Sequence, residues 1–140
     1  MKRQALTLIG VLGLLLAAGS AFAQTINVRA NVPFKFIVNK ETLPAGQYSI
    51  KSLGDSSARA LFVRSLNGTD KTTVIANGVE DRAVSNQTKL VFLRYGDRYF
   101  LSEIWVEGNS SGHQLPKSPR EAEVAMDYSP QPVVVMATLK

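Results

Sequence analysis

The run GHQLPKSPREAE, Gly112 to Glu123, gathers the chain's only histidine with Lys117, Arg120, Glu121 and Glu123. Proton transfer and anion binding both draw on such a mix, so the chemistry open to it can be tested residue by residue. A hydrolytic triad needs a histidine as its base. His113 is the sole candidate and sits between Gly112 and Gln114, in a segment that reads as a loop. A zinc site needs several histidine or cysteine ligands, and the chain has one histidine and no cysteine. The spaced carboxylates of a calcium loop and the glycine-lysine pattern of a phosphate loop are both missing. Glycoside hydrolysis needs two positioned carboxylates, and Glu103 with Glu121 is the one pair that stands out. The sequence therefore assigns no catalytic residue, no metal and no cofactor, and a carboxylate-dependent hydrolase is the remotest of the readings.

Binding chemistry is better represented. Trp105, Tyr95, Tyr99 and Tyr48 fall on or beside β-rich runs, and exposed aromatic rings along a strand can hold sugar rings. Large aromatics are mostly buried, however, which makes core packing the competing role for Trp105. Arg94 opposite Tyr99 reads as a cation–π pair. Lys117, Arg120 and His113 flank a candidate helix start, where a carboxylate or phosphate group could bind. A rival role for Lys117 or Arg120 is to pair Glu103, since a buried carboxylate needs a partner. Arg94, Tyr99, Glu103, Trp105, Lys117 and Arg120 are thus the candidate ligand or partner surface.

These residues need elements to place them. Ser118-Pro119-Arg120-Glu121 has a serine at the N-cap, proline at the first helical position and glutamate three residues after the cap, which predicts one short helix over 119–126. Capping accounts for Ser118, Pro119 and Glu121 without catalysis. The helix is too short to stand alone and must lie on an end or a face of the remaining structure.

That remainder reads as strands. Ile26, Val28 and Ala30 alternate with Asn27, Arg29 and Asn31, and Phe34, Phe36 and Val38 with Lys35, Ile37 and Asn39, the period of a half-buried strand. Further runs begin at Tyr48, Ala60 and Thr72, with Asn67-Gly68 marking a hairpin turn; 79–87 reads as loop, and Val133 to Leu139 as a last strand. The strongest element is the hairpin 88–106, turning at Gly96-Asp97 as a type II′ turn. Counting outward pairs Arg94 with Tyr99, Leu93 with Phe100, Phe92 with Leu101, Val91 with Ser102 and Leu90 with Glu103. One face then holds Val91, Leu93, Phe100, Ile104 and Val106. The other holds Leu90, Phe92, Leu101 and Trp105 among Arg94, Tyr99 and Glu103. Both faces are apolar, so both should be covered. The expected fold is all-β: a single-domain sandwich or barrel of about eight mostly antiparallel strands with one short helix.

The N-terminus reads as an address. Lys2 and Arg3, the apolar run Leu6 to Ala18 and the Ala21-Phe22-Ala23 site form a secretory signal over 1–23, leaving 24–140 as a single β-domain. Loss of Lys2 and Arg3 lowers the net charge from +5 to +3. The cations are scattered along the chain, which reads as a mildly basic solvated surface, with polysaccharide, cell wall or another envelope protein as conceivable partners. Export argues against nucleic acid, and no membrane-spanning segment is expected once the signal is removed.

The segments PFKF (33–36), LPAGQY (43–48), YFLSEIW (99–105) and LPKSPREAE (115–123) occur in that order. Together they resemble a family of small exported proteins common in soil-bacterial genomes and without an assigned function. The resemblance implies an exported single-domain β protein and carries over no activity. The favoured reading is a non-enzymatic domain, periplasmic or extracellular, acting by binding or assembly. The alternative is a carbohydrate- or cell-wall-binding module using the aromatic hairpin 88–106.

Overall fold

A computed structural model describes residues 26–53, 59–81 and 83–139. The expected secretory signal, 1–23, lies outside the described residues. The strands are β1 (Asn27–Val32), β2 (Phe36–Val38), β3 (Glu41–Leu43), β4 (Gly46–Ser52), β5 (Ala60–Ser65), β6 (Lys71–Ile75), β7 (Asn77–Glu80), β8 (Lys89–Tyr95), β9 (Arg98–Trp105), β10 (Ser111–Gln114) and β11 (Gln131–Leu139). One helix, α1 (Pro119–Asp127), lies between β10 and β11.

The strands form one nearly closed, barrel-like sheet. Its path runs β3-β2-β9-β8-β11-β1-β4-β5-β6, while β10 pairs with both β9 and β7. Strands β6 and β7 follow one another across Ala76, β6 bonded to β5 and β7 to β10. Taken as one bent stave they complete a circuit β1-β4-β5-β6/β7-β10-β9-β8-β11 and back to β1. The sheet has eleven strands rather than about eight because that stave is split and the β2–β3 hairpin is added on the side of β9.

Alternation builds the barrel. In β1 every second residue is buried, and Val28, Val32, Ile50, Leu61, Val63, Leu90, Phe92 and Ile104 fill the interior. Phe36 meets Tyr48 and Phe92 edge to face, with centroids at 4.9 and 5.4 Å. Tyr48 is buried and donates its hydroxyl to Pro44 O at 2.5 Å, which satisfies the one polar atom it brings inside. Each such apolar side chain contributes about 1.5–3 kcal/mol when buried.

The β8–β9 hairpin turns at Gly96 and Asp97 as the sequence predicts. Gly96 has φ +64° while Asp97 keeps a negative φ, the pattern of a type II′ turn. The register also holds as far as Phe92 opposite Leu101. A bulge between Val91 and Phe92 then overturns the rest: Val91 faces Glu103, Leu90 faces Ile104 and Lys89 faces Trp105. Ser102 is the extra residue, and its carbonyl accepts from Leu115 N. An extra residue flips every side chain beyond it to the opposite face. Ile104 and Val106 therefore join the barrel interior, and Glu103 and Trp105 move to the outer face with Val91 and Leu93.

Both hairpin faces are covered, as the sequence requires. The barrel core covers one. On the other, α1 sets Val124 against Ile37, Tyr95 and Phe100. The helix lies against the barrel wall, and no helix among the described residues is long and apolar enough to cross a membrane. Its start matches the reading of Ser118-Pro119-Arg120-Glu121: Glu121 N donates to Ser118 Oγ at 3.2 Å, with Pro119 in the first turn. Ser118→Ala is expected to lower stability by about 1 kcal/mol. A urea midpoint unchanged by that substitution would show that the cap contributes nothing.

Two loop readings are corrected. Asn77–Glu80 is β7, and His113 lies within β10, between Gly78 of β7 and Ile104 of β9. Neither NGVE nor SGHQ shows apolar alternation, so only their tertiary partners make them strands.

Candidate functional site

The candidate residues do not converge. Arg94 and Tyr99 are cross-strand partners, with the guanidinium 5.8 Å from the ring centroid, and Arg94 Nε donates to Gly96 O at 2.7 Å. Tyr99 stacks on Phe34 at 3.9 Å and packs against the core. Trp105 is 7 % exposed. Its ring lies flat over Gly112, where a Cβ would come within 2.7 Å of Cε3, and its Nε1 donates to Glu103 Oε2 at 2.8 Å. The rings of the hairpin are thus engaged in packing.

Neither Lys117 nor Arg120 pairs Glu103. Lys117 is exposed in the segment before α1, and Arg120 reaches Thr42 Oγ1 at 3.4 Å. The buried carboxylate is Glu121, 6 % exposed, which accepts from Tyr95 Oη at 2.7 Å. The bulge explains the difference, because it turns Glu103 out of the interior. Burial and the neighbouring Glu121 carboxylate push the Tyr95 phenol up to about 12. His113, half-buried in β10, has its imidazole pKa lowered by desolvation.

Glu103 and Glu121 also line different hollows. Glu121 borders a cavity of about 150 Å³, with Ile37, Val74, Phe100 and Leu115, where β6 parts from β9. Glu103 borders a polar cleft of about 390 Å³ with Asp81, Ser85, Lys89 and Trp105. The two-carboxylate arrangement weighed for a hydrolase is therefore not assembled. Among the described residues, no three histidine, cysteine or acidic side chains come together to hold a metal ion.

The feature that sequence reasoning missed is on the opposite wall. Strands β11, β1, β4, β5 and β6 are adjacent in the sheet and contain no aspartate or glutamate. Their outward positions carry Arg29, Lys51, Arg64 and Lys71, all exposed. Arg29 lies beside Ser49, Ser49 beside Arg64, and Arg64 beside Lys71, along one rung of the ladder. At about 4.8 Å per strand, three cations fall within about 14 Å. Lys51 sits two residues along β4 from that rung. Among the described residues none of the four forms an ion pair. Like charges directly opposite one another, as in Arg64 and Lys71, destabilise a sheet. A fold that keeps them there breaks a local rule, which is a mark of functional surfaces.

The same wall holds a groove of about 300 Å³ over β11, β1 and β4, lined by Arg29, Asn31, Gln47, Leu66, Met136 and Thr138. Alternation along each strand could have identified every outward cation. Nothing in the sequence says that β1, β4, β5 and β6 are neighbours in that order, so cations 29, 51, 64 and 71 read as scattered.

No protein-family model, no curated protein and no solved structure matches this chain.

Proposed function

We propose that this protein is an exported, non-enzymatic β-barrel domain that binds an anionic polymer of the bacterial envelope or its surroundings through the wall β11-β1-β4-β5-β6. The observation that carries the reading is the wall itself: three exposed cations on one rung and a fourth, Lys51, two residues from it, on adjacent strands that contain no carboxylate. Clustered charge of one sign raises the local concentration of an oppositely charged partner and speeds its capture. The address read over 1–23 supports a partner outside the cytoplasm, and Glu41, Glu80, Glu103, Glu121, Glu123 and Asp127 lie on the other elements, which leaves Asp70, in the turn between β5 and β6, as the carboxylate at the wall's margin among the described residues.

Retention of the purified protein on an immobilised carboxylated polysaccharide, compared with a neutral polysaccharide matrix, tests this. The protein should bind the charged matrix and elute as salt rises, since exposed charges are screened within about 8–10 Å at physiological salt. Replacing Lys51, Arg64 and Lys71 together by serine should weaken retention about tenfold, whereas replacing Lys117 and Arg120, away from the wall, should leave it intact. Equal losses in the two variants would mean that only net charge matters and would sink the assignment to this wall.

A further inference from the structure

Resting on that reading, we infer that the groove over β11, β1 and β4 is a subsite for one carboxylated sugar unit of the polymer, of the uronate type. A basic wall alone attracts any polyanion. The groove adds groups that discriminate. Arg29 and Thr138 are direct cross-strand partners, and Asn31 and Gln47 are partners two residues further along β1. Four polar side chains thus ring one concavity, with Met136 and Leu66 as its apolar part. Among the described residues, none of the four makes a side-chain hydrogen bond or ion pair, and all four are exposed at the groove.

Each group suits a different part of a sugar acid. The guanidinium of Arg29 is a planar fork that matches a carboxylate with two parallel hydrogen bonds. The amides of Asn31 and Gln47 and the hydroxyl of Thr138 each donate and accept, as hydroxyl groups require. Met136 has an adaptable, polarisable side chain that can follow the C–H face of a ring. At about 300 Å³ the groove lies at the lower end of small-ligand sites, which suits a single ring rather than a bulkier ligand.

The backbone argues against a phosphate as the preferred anion. Phosphate sites draw heavily on free main-chain N–H groups, at helix starts or in nests of successive amides. Here β1 is paired on one side to β11 and on the other to β4. Its amides are spent on the ladder, and side chains alone remain to define the ligand. A planar guanidinium flanked by carboxamides then favours a carboxylate on a hydroxylated ring.

The test uses the purified protein and four probes: oligogalacturonate, a neutral galactose oligomer of equal length, polyphosphate of matched charge, and vesicles containing phosphatidylglycerol. At moderate salt the protein should bind oligogalacturonate about tenfold more tightly than polyphosphate or the vesicles, and bind the neutral oligomer weakly. Arg29→Lys keeps the charge and removes the fork. It should erase the preference for oligogalacturonate while leaving polyphosphate binding within about twofold. Met136→Asp places a carboxylate in the groove without touching Arg29 and should weaken oligogalacturonate selectively. Trp105 emission reports whether each variant keeps its fold. An Arg29→Lys protein with its preference intact, or polyphosphate or vesicles binding as tightly as oligogalacturonate, overturns the subsite while leaving the basic wall standing. Absence of binding to every anionic probe overturns the wall and the subsite together.

Discussion

Trp105→Ala will lower the stability of the folded domain by about 3–5 kcal/mol, as complete truncation of a buried aromatic does. The indole performs two tasks from a buried position. It is 7 % exposed on the outer face of β9. It covers the backbone of Gly112, where three of its ring atoms would lie 2.7–2.9 Å from a Cβ. It also supplies the donor for Glu103 at 2.8 Å. Its removal strips the β9–β10 seam, and among the described residues β10 is the only strand that joins β9 to β7. The loss should therefore reach barrel closure as well as local packing. Urea unfolding measures it, and a loss under about 1 kcal/mol would contradict the packing described. Because Trp105 is the chain's single tryptophan, acrylamide offers an independent check. Quenching in the folded protein should be several-fold weaker than in urea. Strong quenching before unfolding would place the indole in solvent and revive it as a sugar platform.

Stability will also fall steeply in alkali, and Tyr95 will account for most of the fall. Its phenol is 1 % exposed and donates to the Glu121 carboxylate. Burial first, then the bond and the charge of Glu121, raise its pKa from 10.0 to about 12. Between those values the unfolded chain has lost the phenolic proton and the folded chain keeps it. The folded state binds more protons there, so stability falls as pH rises. The contribution is complete below pH 10 and is lost through about pH 12, an interval worth about 2–3 kcal/mol. Tyr48, also buried and raised by desolvation with a smaller effect from Asp70, acts in the same direction. Tyr95→Phe separates the two. It should cost about 1.5–3 kcal/mol at neutral pH, because Glu121 loses its donor, and should flatten the alkaline decline to the share of Tyr48. Urea midpoints for both proteins across the alkaline range measure this. Parallel curves would show that Tyr95 does not carry the proton at issue.

Much of this architecture was legible from local chemistry. Gly96-Asp97 announces a turn because glycine alone enters the required φ without strain, and Ser118-Pro119-Arg120-Glu121 announces a helix start because each residue meets a different need of the first turn. The bulge at Ser102 gave no such notice. In FLSEIW, buried residues flank it on both sides, Phe100 and Leu101 before and Ile104 and Trp105 after. Alternation fails there without a glycine or proline to mark where. From that single slip followed the misplacement of Glu103 and Trp105 and the expectation that Glu103 was the buried acid. Ser118 caps the backbone N–H of Glu121 as read, but the Glu121 carboxylate accepts from Tyr95, a long-range bond that belongs to the packing of α1 on the hairpin. The basic wall was hidden for a broader reason: outward positions are a property of one strand, whereas adjacency is a property of the whole sheet.

The place of β11 in that sheet bears on how the molecule assembles. It lies between β8 and β1, and its register joins Arg29 to Thr138, residues from opposite ends of the described chain. No local turn can bring those two together, so the contact must meet a large loop-closure entropy before it returns any stabilisation. Domains dominated by such distant pairings fold in roughly milliseconds to seconds, far more slowly than helical bundles. Until β11 inserts, β1 and β8 each present an unpaired edge, a template for wrong partners. Insertion of β11 ends both exposures in one step. A chain cut before Gln131 would keep two open edges where the intact barrel pairs both, and its hazard would be aggregation rather than mere loss of stability.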